Sequence, residues 1–287
     1  MNESLREVES MVTDVCGNEE VLVCVDGPVV TITLNRPEVF NALNFETSQQ
    51  LTRALREVAA DSDIHVVLLK GRGKAFSAGG DLVMMRDMIA GGRSALDVGE
   101  LLTKQAMYHE APALLHDLPK ITIAVVDGYA TGAGMSLALA LACDLRIASE
   151  KAAFATAFGG VGLDGDLGIS WTLPRLVGES KAKELMLLGD NIDSQEAHRL
   201  GLVNRVIPSA QLEEETRLLA HRLASGPQLA YRYMKENIAA SHTEGLRDTL
   251  SREALSHASL CASPDFFEGV TAFIEKRRPV FNRGFQE

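Results

Sequence analysis

Twice in this chain a short β-branched run meets a glycine-bearing turn and then a helix-like stretch. The first turn is Ala75-Phe76-Ser77-Ala78-Gly79-Gly80-Asp81, between the run at 66–69 and the stretch at 82–89. The second is Asp127-Gly128-Tyr129-Ala130-Thr131-Gly132-Ala133-Gly134, between the run at 121–126 and the stretch at 135–142. Strand, glycine turn and helix in that order leave main-chain N–H groups unpaired at a helix start, where the helix dipole also favours negative charge. Two such turns facing each other can hold one developing oxyanion.

The flanking chain keeps the same alternation. Apolar runs at 21–25 and 29–34, joined by Asp26-Gly27-Pro28, predict a hairpin. Leu51, Leu55, Val58 and Ala59 recur at helical spacing across 47–59, with Glu46 at the acidic tip. Segments 66–69, 121–126 and 145–148 read as strands and 96–118 as a helix, while adjacent glycines in 90–94 mark a mobile loop. This recurrence is that of an α/β fold. From residue 211 onward four amphipathic helices are expected, at 212–223, 228–239, 246–260 and 265–276. The organisation expected is an N-terminal arm at 1–18, a core at 19–207 and a helical region at 208–287.

At 287 residues, with 46% hydrophobic and 23% charged residues, the composition is that of a soluble globular chain. A formal net charge of −11 argues against a nucleic-acid partner, which needs a basic face. It leaves room for an anionic small molecule met by a few local cations. The four cysteines have neither disulfide-framework nor zinc spacing, which fits a reduced, cytoplasmic protein. The acidic stretch 1–16 lacks the pattern of a signal peptide, the apolar stretch at 135–142 is too short to span a membrane, and no metal-ligand spacing is present.

The two turns, taken with their neighbours, resemble the crotonase superfamily, also called the enoyl-CoA hydratase/isomerase family. Asn35-Arg36-Pro37 with Asn41-Ala42-Leu43 matches its opening motif, residues 75–81 and 127–144 its two oxyanion loops. Leu173-Pro174-Arg175-Leu176-Val177-Gly178, the segment 197–206 and the tail Phe273-Ile274-Glu275-Lys276-Arg277-Arg278-Pro279 follow in family order. The resemblance runs over about 21–281. It implies a spiral of ββα units with a C-terminal helical trimerisation region, in homotrimers or hexamers. It implies an acyl-CoA thioester substrate, with coenzyme A entering as part of that substrate and no tightly bound cofactor. By motif position the two amide donors to the thioester oxygen fall on Gly80 and Ala133. The stretch that contacts coenzyme A corresponds to Ala78 and to Gly80, Asp81, Leu82 and Val83. Arg36, Lys74 and the Lys276-Arg277-Arg278 cluster are candidate phosphate partners.

The family pattern breaks at the catalytic acids. Hydratases of the family place glutamates at two positions that here hold Ser136 and Phe158. Neither is a carboxylate, so the paired-glutamate mechanism is not available in its usual form. Several family isomerases carry an aspartate on the segment that is here Val161-Gly162-Leu163-Asp164-Gly165-Asp166-Leu167-Gly168. Asp166 matches that position, and Asp164 is offset by two. One base suffices to move a proton between two ends of an allylic system. Phe154, Phe158, Leu163 and Trp171 are expected as an apolar wall, which would raise a buried carboxylate's pKa. Asp166 can equally be a helix N-cap for the segment near Gly168. Tyr108, His109, Glu110 and His116, on the helix before residue 121, are further candidates. Three readings stay open: an enoyl-CoA isomerase, a hydratase with atypical acid/base groups, and an acyl-CoA-binding protein without catalysis.

Overall fold

A computed structural model describes residues 19–90, 92, 97–132 and 143–283. The expected helix at 135–142 and most of the loop at 90–94 lie outside them.

Strands β1 (Val21–Asp26) and β2 (Val29–Leu34) form the expected antiparallel hairpin. Helix α1 (Phe45–Ala60) follows, capped by Asn44, whose side chain accepts from the Thr47 N–H. The chain then repeats one device. Long strand β3 (Val66–Gly71) turns into short strand β4 (Ala75–Ser77) and helix α2 (Leu82–Ile89). After helix α3 (Val98–Asp117), long strand β5 (Ile121–Val126) turns into short strand β6 (Tyr129–Thr131), and later β7 (Leu145–Ser149) into β8 (Ala153–Ala155). Helices α4 (Ile169–Val177) and α5 (Glu179–Leu188), strand β9 (Ile192–Asp193), helix α6 (Ser194–Arg199) and strand β10 (Arg205–Ile207) complete this part.

Each turn of the chain thus adds one strand to each of two sheets. The large sheet runs β1-β2-β3-β5-β7-β10, parallel from β2 onward, and the small one β4-β6-β8-β9. Within the small sheet β4 pairs with β6 and β6 with β8, both parallel. This is the spiral of ββα units the family resemblance implies. The first two of these bends between a long and a short strand need glycine. A Cβ on Gly71 would lie 2.3 Å from the Ala75 carbonyl oxygen, and one on Gly128, at φ +95°, 2.0 Å from that of Lys74.

The centre of the large sheet is dry on both faces, so β5 is buried along its whole length and is apolar except for Thr122. Side chains alternate across it. Val67, Leu69, Ala124 and Val126 join Leu51 and Leu55 of α1 and Leu115 of α3 on one face. Val66, Leu68, Ile123 and Val125 join Leu212, Leu219 and Ala220 of α7 (Ser209–Ala224) on the other. The first helix beyond residue 208 is therefore a layer of the sheet's own core. Helices α8 (Gln228–Ser241), α9 (Leu246–Cys261) and α10 (Pro264–Glu275) extend outward, as the amphipathic pattern predicts. Lys235 of α8 ties back through Asp144 at 2.8 Å and the carbonyls of Leu118 and Lys120. Asp144 also accepts from the Thr122 N–H and hydroxyl, which ties the start of β7 to β5.

Candidate functional site

The two glycine turns leave the ends of adjacent strands β4 and β6, and this brings them face to face. A Cβ on Gly132 would lie 3.6 Å from the Cα of Gly79 and 3.8 Å from the Thr156 carbonyl oxygen. Ala133, the next residue and the second expected donor, lies outside the described residues, as does Ser136.

Around Gly80 the main chain is fixed from one side. The Ala78 N–H donates to the Phe40 carbonyl, Leu43 N–H to Gly79 carbonyl at 2.7 Å, and Asp81 N–H to Leu43 carbonyl at 3.1 Å. This parallel bridge between Leu43 and Gly80 uses the peptide groups that flank Gly80 and turns Gly80's own N–H away from Leu43. Among the described residues that N–H has no hydrogen-bond acceptor.

The opening motif is the brace. Asn41 is buried, at φ +55°, and accepts from the Arg36 N–H while donating to the carbonyls of Arg72 and Ala75. Arg36 reaches Asp81 at 3.0 Å, Glu20 at 3.3 Å and the Ala42 carbonyl at 2.5 Å. Its guanidinium is engaged inside the protein, so the expected phosphate partner is occupied as a strut. Asp81 caps α2 by accepting from the Val83 and Met84 N–H groups. Burial pushes the Asp81 carboxyl pKa up, but the Met84, Arg36 and Val83 hydrogen bonds outweigh it and leave the group below the ordinary aspartate value. Leu82 and Val83 are exposed beside it. Lys276 is exposed at the left-handed end of α10, with no ion pair among the described residues, while Arg277 pairs with Glu268 and Glu275.

Asp166 is not a helix cap. The N-cap of α4 is Gly168 at φ +80°, with no side-chain cap bond. The Asp166 carboxylate instead meets α3. Gln105 Nε2 donates to Oδ2 at 2.6 Å, and His109 Nε2 lies 2.9 Å from Oδ1. Oδ1 also accepts from the Leu167 N–H at 2.6 Å. Leu167 is buried at φ +49°, a conformation that costs a side-chain-bearing residue about 1 kcal/mol or more. Asp164 is exposed.

One turn of α3 links the two loops. Gln105, Tyr108 and His109 share a face by helical spacing. The Tyr108 hydroxyl lies 3.4 Å from Met84 Sδ in α2, and its ring packs edge-on to Phe45. Burial, followed by the negative charges of Asp81 and Asp166, holds the Tyr108 phenol above its ordinary pKa. Tyr108 is therefore close enough to feel both the Gly80 loop and the acid loop.

The four residues expected as one apolar wall do not form one surface. Phe154 and Phe158 belong to the buried core, with Phe154 registered between Ala130 and Ile192. Leu163 is exposed. Trp171 is held between the rings of His116 and His242, with the Arg175 guanidinium 3.9 Å from its centroid. Glu110 is turned to Arg56 at 2.8 Å. Cys143, beside the second loop, is fully buried, which pushes its thiol up to about 12 and removes it as a nucleophile. Gln105 was not singled out from sequence. Its helical spacing from Tyr108 and His109 is the signal that could have found it.

Comparison with known proteins agrees with this geometry. The family model for enoyl-CoA hydratase/isomerase matches residues 25–284. A 1,2-epoxyphenylacetyl-CoA isomerase of Escherichia coli is 37% identical over 263 residues, covering 92% of this chain and 98% of that protein. A probable enoyl-CoA hydratase of Rhodobacter capsulatus is 38% identical over 253 residues, covering 88% and 94%. The crystal structure of an enoyl-CoA hydratase from Bacillus anthracis superposes with a TM-score of 0.82 at 32% identity, covering 91% of this chain and 98% of that one. With paired parallel strands delivering two facing glycine turns, and with matches of this length, the chain belongs to the enoyl-CoA hydratase/isomerase family of the crotonase superfamily.

Proposed function

We propose that the protein is an acyl-CoA isomerase, which moves a double bond between the β,γ and α,β positions of a thioester. The observation that carries this reading is the Asp166 carboxylate, oriented by Gln105 and His109 on a helix that also borders the Gly80 loop. Asp166 takes a proton from one end of the allylic system and returns it two carbons away. The N–H groups of Gly80 and Ala133 bind the thioester oxygen of the dienolate between these steps. Such preorganised donors lower a barrier of this kind by about 3 kcal/mol each. The buried, apolar Phe158 leaves its position without the second acid that water addition needs.

Ala78, Gly80, Asp81, Leu82 and Val83 form the edge along which coenzyme A enters, and Lys276 is a cation for its phosphates. The exposed Phe267, Phe273 and Ile274 of α10 support a homotrimer or hexamer, which static light scattering tests.

The deciding experiment supplies a 3-enoyl-CoA and a 2-enoyl-CoA in parallel. Conversion of the first into the second is expected, with little 3-hydroxyacyl-CoA formed from either. Rapid water addition to the 2-enoyl-CoA without any double-bond shift would sink the isomerase reading in favour of a hydratase.

A further inference from the structure

His109 touches Asp166 on one side and solvent on the other. Its side chain is 53% exposed, while that of Asp166 is 27% exposed. The carboxylate is also held by the Gln105 amide and the Leu167 N–H. Imidazole is the side chain that gains and loses a proton near neutrality. It has two nitrogens, so one can face a carboxyl group while the other faces water.

We propose that His109 is a proton relay between Asp166 and solvent, so that the hydrogen returned to the substrate is not the one removed. The proposal rests on the reading of Asp166 as the base. A substrate C–H bond breaks, its proton binds an Asp166 oxygen, and its electron pair enters the thioester dienolate. The new carboxylic acid passes the proton to Nε2 of the imidazole tautomer that carries its hydrogen on Nδ1. The half-exposed imidazolium swings off the carboxylate, gives its Nε2 proton to water and takes a solvent proton at the same nitrogen. On its return Nε2 passes that solvent proton to Asp166, which delivers it to the carbon two positions away. Nothing is oxidised or reduced, and the net exchange is one substrate hydrogen for one solvent hydrogen. His109 does not touch the reacting atoms and acts through Asp166.

The test is isomerisation of a 3-enoyl-CoA in D2O, with mass spectrometry of product and recovered substrate at low conversion. Wild-type product is expected to carry about one deuterium. His109→Gln keeps a donor towards Asp166 but cannot shuttle protons. It is expected to turn over within about tenfold of wild type, with deuterium in its product reduced by about threefold or more. Equal deuterium in both proteins, or none in wild-type product, overturns the relay while leaving the isomerase standing. Deuterium washed into recovered substrate by wild type but not by His109→Gln, without a double-bond shift in either, supports the relay and overturns the isomerase instead. If His109→Gln does not fold, His109→Ala with added imidazole serves. Restored deuterium uptake supports the relay, and uptake indifferent to imidazole overturns it.

Discussion

The loop at 78–81 and the loop at 162–168 are held in opposite ways. The first is fixed by main-chain hydrogen bonds from Phe40, Leu43 and their neighbours, with Asn41 and Arg36 as internal struts. The second has a left-handed Leu167, and its acid is steered by the side chains of Gln105 and His109 from another helix. A site built on main-chain groups survives most side-chain changes around it. A carboxylate steered by two side chains can be retuned by altering either. The difference teaches that main-chain groups form the fixed part of such a site and side-chain contacts its adjustable part.

The sharpest test of that contrast is Asp166→Asn. We expect kcat for double-bond migration to fall by about 10²–10⁴-fold, with a melting temperature close to wild type. A large loss of stability would mean that the acid loop is a structural element too, and the contrast would break. Asn41→Leu should do the reverse. It strands the Arg36 N–H and two carbonyls in the interior, and we expect about 2–4 kcal/mol lost in urea unfolding. A change under about 0.5 kcal/mol would show that the main-chain brace does not need its strut. The smallest effect belongs to Asp81→Asn, which keeps the cap but drops the charge facing Arg36. Since folding lowers the Asp81 pKa, its charge stabilises the protein above the ordinary aspartate range, and that contribution is lost as the pH falls through the folded value. Wild type should therefore exceed the variant by about 1 kcal/mol at neutral pH and converge with it in acid, as read by thermal unfolding across pH.

Much of this was legible in the residues. The hairpin, α1 and the dry strand β5 follow from periodicity and apolar runs, because each buries a face set by local spacing. The adjacency of the glycine turns was not legible from pattern alone. It depends on β4, β6 and β8, strands of three residues each, too short for any period to register. It came instead from the ordered family resemblance. Asp166 was visible as cap or base, and Gly168, whose positive φ starts α4 without a side-chain cap, removes the cap. The contact with Gln105 spans 61 positions, and no local pattern encodes a pairing at that distance. The apolar wall failed as a group because Phe154 and Phe158 serve the core between the sheets and helices, where hydrophobicity alone cannot distinguish filling from lining.

The winding order of the large sheet has a consequence for synthesis on the ribosome. From β2 onward each new strand docks on the edge left by the one before, so the nascent sheet widens outward and never has to open for a latecomer. Yet Val66, Leu68, Ile123 and Val125 stay wet on one side until Leu212 and Leu219 emerge. A polypeptide stalled after its last strand would expose an adhesive apolar sheet, and it is the arrival of the helix at 209–224 that turns a sticky intermediate into a finished domain.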